Sequence, residues 1–318
     1  MKQIYKIITA AAAAACLLCG CRDKGPSELE LAREKGISYM EQADYANAAA
    51  AFEEAYALCD EKMPKTKADI SLYEAACQMK TENYEEVKNT CSRILEMTEN
   101  ADAYYMRGAA FLNLDETDAA KADFDCAVAL NPADYELFLN IYREYEKKNL
   151  SAVGDQYLQQ ALNIEGGEME DYYQKGCIYF YLKDYTKAQE MLIQPVEEKH
   201  KRAMMLMGEV YLELEDSVHA RNVYQQYMEE YGDDAQAYNG IVLCELADGN
   251  YDAAVSAAET GLGLEGDEST NRDLLYNEIV ACERKLDFEA AKQAAARFVE
   301  LYPDDEKGKK EYDFLSTR

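Results

Sequence analysis

The amino-acid sequence predicts an all-α protein built from repeated helical hairpins. Alanine, glutamate, leucine and tyrosine dominate the composition, and strand-like alternation of Val, Ile and Thr is missing. Small residues also recur about every 34 residues, at points where two helices would touch. The chain has 318 residues, 26 tyrosines, no tryptophan and five prolines. This length accommodates about eight hairpins of that period.

Residues 1–20 are predicted to be a signal peptide and not part of the fold. Lys2 and Lys6 give a basic start, and the apolar run over residues 7–18 is short for a bilayer span. Small residues follow this run, as they do before a cleavage site.

The stretch LLCGC, residues 17–21, resembles the lipobox of bacterial lipoproteins, although Cys19 stands where Ala or Ser is usual. The resemblance implies lipidation of Cys21 and a short tether over residues 21–27. It also implies localisation at the cell membrane, on the extracytoplasmic face. The alternative is an ordinary secretory signal that happens to contain cysteines.

The repeat is visible when the chain is aligned on the small residue near the start of each second helix. The aligned residues are Ala48, Val87, Ala120, Gly154, Ala188, Ala220, Ala254 and Ala291. Twelve residues earlier, at the closest approach of the first helix, the pattern places Gly36, Ala75, Gly108, Gly176 and Gly208, while the fourth and eighth hairpins are degenerate there, with Tyr142 and Ile279. Helices whose axes lie about 8 Å apart need Gly or Ala at the crossing point. In the seventh hairpin Gly240 stands two residues further upstream, which predicts a longer turn there.

One hairpin shows a complete set of signature residues: Gly108, Phe111, Ala120, Phe124, Ala127 and Pro132. This set resembles the tetratricopeptide repeat. The resemblance implies a right-handed α-solenoid of about eight helix-turn-helix repeats over residues 28–305, without a domain boundary. Residues 306–318 are predicted to be a C-terminal capping helix, and Ser27 with Glu30 a capping box at the first helix. Pro64 is expected in an insertion, and Pro195 inside a helix.

The net charge argues against one class of function, and the cysteine pattern predicts the state of the thiols. The net charge of −29 argues against nucleic-acid binding, because such a surface repels polyanions and attracts basic partners. The chain beyond Cys21 has seven cysteines and no CxxC pair. Each lies in a helical pattern where small apolar residues are expected, so we predict buried free thiols.

No catalytic residue, cofactor or metal site is predicted. The stretch GLGLEG, residues 261–266, matches a dinucleotide fingerprint in letters, but a helical segment precedes it where a strand is required. We interpret it as a helix end followed by a loop. His200 and His219 lack partners at metal-binding spacing, and the pair Asp216 and His219 is typical of a solvated helix turn.

The resemblance implies that the first helix of each hairpin lines a concave groove. Its groove positions lie three before, one after and four after the glycine position. In the third, fifth, sixth and seventh hairpins they are Tyr105, Ala109, Leu112; Tyr173, Cys177, Phe180; Met205, Glu209, Leu212; and Ala237, Ile241, Cys244. Family members that clamp a peptide carboxylate use Lys, Arg and Asn there, and this chain offers little besides Asn140 and Arg143. Packing on neighbouring helices is an equal alternative for these side chains.

These observations favour a membrane-anchored scaffold or adaptor that binds a protein or peptide partner with basic flanks at the cell envelope. The alternative is a lipoprotein that captures a small extracellular ligand, a peptide or glycan, for uptake. An enzyme is not expected, since no residue can be nominated for catalysis.

Overall fold

The computed structural model describes residues 27–317, and in that span the chain forms helices and no strand. The predicted class, an all-α protein of helical repeats, is confirmed. The predicted signal peptide, Cys21 and the tether up to residue 26 lie outside the described residues. Within residues 27–317 none of the helices is long and apolar enough to cross a membrane.

The described residues group into two compact units, residues 27–164 (unit 1) and 165–317 (unit 2). The repeat spacing gives no sign of this division. Unit 1 contains four hairpins. Its helices are α1 (Glu28–Glu41), α2 (Tyr45–Leu58), α3 (Pro64–Lys80), α4 (Tyr84–Met97), α5 (Ala101–Asn113), α6 (Thr117–Leu130), α7 (Tyr135–Lys147) and α8 (Ser151–Ala161).

Unit 2 contains four further hairpins and a terminal helix. Its helices are α9 (Met169–Tyr181), α10 (Tyr185–Glu197), α11 (Lys201–Glu213), α12 (Ser217–Tyr231), α13 (Ala235–Ala247), α14 (Tyr251–Leu262), α15 (Glu268–Arg284), α16 (Phe288–Leu301) and α17 (Glu306–Ser316). The eight predicted hairpins are therefore all present.

Every hairpin turn has the same three-residue form. The middle residue has a positive φ of 57° to 75° in all eight turns: Ala43, Glu82, Asp115, Asn149, Lys183, Glu215, Gly249 and Leu286. The N–H of the third turn residue then donates to the carbonyl five residues earlier, as from Glu116 to Phe111 at 2.8 Å. This bond satisfies a carbonyl at the end of the first helix while the chain reverses. Because all eight turns share this geometry, the two helices of every hairpin have the same alignment.

The longer turn predicted for the seventh hairpin is therefore wrong. Residues 248–250 connect α13 to α14 in the ordinary three-residue form, so Val242 stands twelve residues before Ala254 and packs in the same core cluster. Gly240 instead faces the preceding helix α12, where a Cβ would lie 2.7 Å from Cε1 of Tyr224.

The small residues lie where the repeat places them. All eight aligned residues of the second helices are buried. At Gly108 a Cβ would lie 2.9 Å from the Phe124 ring and 3.2 Å from the carbonyl oxygen of Ala120. The two helices of this hairpin thus approach closely only because Gly108 has no side chain.

The fourth hairpin reaches the same close approach with its large and small residues exchanged. Tyr142 occupies the usual glycine position on α7, and Gly154 occupies the usual alanine position on α8. A Cβ at Gly154 would lie 3.1 Å from the Cα of Tyr142. The departure from the repeat pattern is therefore compensated across the hairpin.

The helix ends mostly follow the sequence signals. Ser27 and Glu30 form the predicted capping box. Pro64 begins the long helix α3 as its first residue, so the predicted insertion lengthens both the linker before α3 and α3 itself, and a proline at that position costs no hydrogen bond. Pro195 lies inside α10, as predicted. The terminal helix α17 covers the last hairpin, with Leu315 buried and Gly308 against the Phe298 ring.

The cysteines follow the prediction only in part. Cys59, Cys77, Cys91, Cys244 and Cys282 are buried, Cys177 is half-buried, and none of these forms a disulfide within the described residues. Cys126 is exposed, so the expectation of a buried thiol is wrong there. It lies on α6 two residues after Phe124, which places it on the outer side of a helix whose inner side carries Phe124 and Ala127.

Candidate interaction surface

The first helices of successive hairpins contact one another within each unit. In unit 1 these are α3, α5 and α7, and in unit 2 they are α9, α11, α13 and α15. Their shared side is called the first-helix face here. It is the side on which the predicted groove residues were placed.

In unit 1 the predicted groove residues Tyr105, Ala109 and Leu112 are buried, with 4%, 0% and 1% of their surface exposed. The Tyr105 hydroxyl donates to Glu144 Oε1 on α7 at 3.4 Å, and its ring lies 6.0 Å from that of Phe124. Burial raises the pKa of Tyr105 well above its usual value. These side chains pack between helices and leave almost no area for a partner.

Unit 2 presents the accessible part of the predicted surface. On α9, Tyr173, Cys177 and Phe180 are half-buried, and on α11, Glu209 and Leu212 are half-buried. Met205 is 8% exposed and belongs to the core cluster beneath them. Partner binding by these residues stays a prediction, but their side chains retain surface that a partner can contact.

Tyr173 lies against Arg202 on α11 and against His200, the N-cap of α11. The Arg202 guanidinium lies 4.7 Å from the centre of the Tyr173 ring, and the His200 ring lies 4.9 Å away. Glu170 accepts hydrogen bonds from Arg202 at 2.8 and 2.9 Å. The Tyr173 ring is therefore part of a contact cluster in which Arg202 joins it to Glu170.

Glu209 is a carboxylate in a mostly apolar environment. Burial, and to a smaller extent the charge of Glu213, raises the pKa of Glu209 to about 7. A group with that pKa is partly protonated at neutral pH. The Glu209 carboxyl group can accept a hydrogen bond from a partner or pair with a partner's cation, and little further desolvation of Glu209 would be needed.

The corrected turn moves the groove positions of the seventh hairpin by two residues. Ala237 and Cys244 are fully buried, and Ile241 packs against the same cluster as Tyr224. The rule of three before, one after and four after, applied to Val242, gives Asn239, Leu243 and Leu246 instead. Leu243 is 38% exposed. The fixed spacing was the signal that could have found them.

The same spacing applied to the last hairpin, from Ala291 back to Ile279, gives Tyr276. Residues Asn239 and Leu243 on α13 and Tyr276 and Asn277 on α15 line a cavity of about 230 Å³. Asn277 Nδ2 donates to Asn239 Oδ1 at 2.9 Å across the two helices. This polar cavity was not anticipated from the sequence.

The chemical signals in the sequence have structural explanations. Helix α14 ends at Leu262 and Gly263 is its C-cap, so GLGLEG is a helix end plus loop, as interpreted. His200 caps α11 by accepting from the Ala203 N–H at 3.1 Å, and Asp216 caps α12 by accepting from the His219 N–H at 3.1 Å. Among residues 27–317 no three His, Cys, Asp or Glu side chains are arranged to hold a metal ion.

Comparison with known proteins agrees with this architecture. Residues 205–263 match a family model described as tetratricopeptide repeat, and residues 101–134 and 172–195 match another of the same description. A tetratricopeptide repeat protein from Parabacteroides merdae is similar over 79% of this chain and 98% of its own, with 14% identity and a TM-score of 0.53. Yeast Tom70 is similar over 98% of this chain and 69% of its own, with 12% identity and a TM-score of 0.62.

Residues 101–134, 172–195 and 205–263 are thus recognised as tetratricopeptide repeats. This fold is typically a protein–protein interaction scaffold, and no catalytic family was found for the chain.

Proposed function

We propose that this protein is a membrane-tethered scaffold of a bacterial cell envelope that binds a peptide or protein partner on the first-helix face of unit 2. The observation that carries the proposal is the difference between the two units. The predicted groove residues of unit 1 are buried, whereas Tyr173, Phe180 and Leu212 in unit 2 keep accessible aromatic and aliphatic surface.

The chemistry of this face indicates its partner. Tyr173 and Phe180 supply rigid aromatic area, which is the usual source of binding energy at interfaces. Glu209 and Glu213 place carboxylates beside that area, and the net charge of the protein is −29. An apolar segment with basic flanks fits both features, because the charges steer the encounter while the aromatic side chains hold the bound segment.

The membrane attachment is proposed from residues 17–21 alone. Their resemblance to a lipobox supports diacylglycerol transfer to Cys21, and two acyl chains anchor a protein stably because each buried methylene contributes about 0.8 kcal/mol. The scaffold would then act on the extracytoplasmic side of the membrane.

Binding is tested with variants of the first-helix face. Tyr173→Ala and Leu212→Lys should each weaken capture of an envelope partner about tenfold or more. Gln225→Lys, which is exposed on α12, adds the same charge away from the face and should leave capture unchanged. If Tyr173→Ala and Leu212→Lys captured as much partner as Gln225→Lys does, the proposal would be contradicted.

The partner's charge is tested with two synthetic peptides that share an amphipathic core and differ in Lys or Glu flanks. We expect tighter binding of the Lys-flanked peptide, and an advantage that shrinks as salt is raised. If the preference for the Lys-flanked peptide did not change with salt, or if the Glu-flanked peptide bound more tightly, the carboxylates would not select the partner.

The anchor is tested by Cys21→Ser. The wild-type chain should incorporate labelled palmitate and partition into detergent, and the variant should do neither. Incorporation of label into the variant would show that Cys21 is not the lipidated residue.

A further inference from the structure

The cavity between α13 and α15 is lined by a pair of asparagines that the sequence did not reveal as a site. It has a volume of about 230 Å³, and residues of α13, α15, α16 and the start of α17 line it. This volume is below the usual 300 to 1,000 Å³ of small-molecule pockets, so the cavity suits one residue of a larger ligand.

In the lining of this cavity the side chains of Asn239 and Asn277 are joined by one hydrogen bond of 2.9 Å. An asparagine amide has two donor hydrogens and one acceptor oxygen. The bond from Asn277 Nδ2 to Asn239 Oδ1 leaves Asn277 Oδ1 to accept and Asn239 Nδ2 to donate. Both side chains are half-buried, so these groups remain accessible from the cavity.

The charges around the cavity balance. Arg272 and Lys307 bring two cations, and Asp273 and Asp305 bring two carboxylates. Asp305 caps α17 by accepting from the N–H groups of Lys307 and Gly308 at 3.0 and 2.9 Å, and the Lys307 ammonium lies 3.7 Å from the centre of the Tyr276 ring. A bound carboxylate would meet as much repulsion as attraction here, in a protein whose net charge is −29.

We propose that the Asn239–Asn277 pair binds a neutral carboxamide, and that this cavity discriminates against a carboxylate. A carboxamide offers one N–H and one C=O, which complement the free acceptor of Asn277 and the free donor of Asn239. The desolvation cost of a neutral amide is also far smaller than that of an ion. Such an amide is available from a peptide backbone or from an Asn or Gln side chain of a partner.

The proposal rests on the proposed function only for the source of the ligand. The site itself is tested with small probes on the full chain, labelled with ¹⁵N at asparagine side chains. The probes are N-acetylalanine N-methylamide for a backbone amide, propionamide for a side-chain amide, and propionate for a carboxylate.

We expect both amides to shift the Asn239 and Asn277 side-chain signals in a saturable way, and propionate to need at least about tenfold higher concentration. Asn239→Leu and Asn277→Leu should each weaken amide binding about tenfold, while Asn222→Leu, exposed on α12, should not. Stronger binding of the N-methylamide would assign a backbone source, and stronger binding of propionamide a side-chain source.

Two results would overturn the inference: equal binding of propionate, or amide binding that survives both leucine variants. Should either leucine variant lose its helical circular dichroism, Asn277→Asp keeps the shape but removes the Nδ2 donor that holds Asn239 Oδ1. Asn239 Nδ2 would then bond the new carboxylate, so Asn277→Asp should likewise weaken amide binding about tenfold. The two proposals can fail separately. If the amide titration fails but envelope capture still depends on Tyr173, this site is refuted and the proposed function stands.

Discussion

The Tyr224 ring lies against two helix backbones at once, and this predicts a large effect of a very small substitution. A Cβ at Gly208 on α11 would lie 2.5 Å from Tyr224 Cε1, and a Cβ at Gly240 on α13 would lie 2.7 Å from the same atom. Carbon atoms in contact normally stand about 3.5 to 4.0 Å apart. Gly240→Ala therefore requires the ring or a helix to move by roughly 1 Å.

The size of the effect follows from the rigidity of the surroundings. Tyr224 is 1% exposed and belongs to a core cluster with Ala220 and Tyr227, so the ring has little space to move into. Overpacking of this kind costs about 1 to 3 kcal/mol. Helix propensity alone would make alanine more stable than glycine by about 1 kcal/mol, so a measured loss of stability has to come from the close packing.

Urea unfolding followed by circular dichroism measures the change. Gly240→Ala and Gly208→Ala should lower the midpoint, and Gly167→Ala, which has no atom within 4 Å of the added Cβ, should leave it unchanged. Tyr224→Leu should make a second substitution at Gly240 less costly, with a coupling energy of about 1 kcal/mol or more. If Gly240→Ala were as stable as the wild type, the close packing of α12 on α13 would be refuted.

Three other predictions concern side chains at different depths. Arg107→Leu should cost about 3 to 5 kcal/mol, because it leaves the buried Asp123 carboxylate without its bonds of 2.7 and 2.8 Å, and Arg107→Leu with Asp123→Leu should recover most of that loss in urea midpoints. Glu209→Gln should stabilise the protein at pH 8 by up to about 3 kcal/mol and have little effect at pH 4. The folded state holds the Glu209 proton until about pH 7, so wild-type stability falls as pH rises from the usual value of 4.5, and equal midpoints at pH 8 would contradict this. Native thiol titration should lose one fast-reacting group in Cys126→Ser, whereas Cys77, with its pKa raised to about 12, should react only after unfolding.

The spacing of small residues predicted most of the fold. Ala120, Ala188 and Ala254 recur at nearly constant intervals, and each is fully buried in the structure. A local pattern is sufficient here because each hairpin packs mainly on its sequence neighbours. In the sequence, the exchange of Tyr142 and Gly154 has the appearance of a degenerate repeat, because a pattern scored position by position does not register compensation across a hairpin.

The candidate surface was less accessible to sequence reasoning. Letters alone did not separate Tyr105, which is buried against α7, from Tyr173, which keeps exposed surface, because both occupy the same position of their repeats. In the seventh hairpin the pattern is aligned on Gly240, which is small because it contacts Tyr224 of the preceding helix, and the true crossing position is Val242.

By itself, the sequence determined the helical class, the hairpin period, the small residues at helix crossings and the resemblance to a lipobox. Those features depend on side-chain size and on order along the chain. Only the tertiary structure decided which first-helix side chains are accessible and brought Asn239 beside Asn277. Both outcomes depend on distances between the first helices of successive hairpins, and the pattern within one hairpin does not encode those distances.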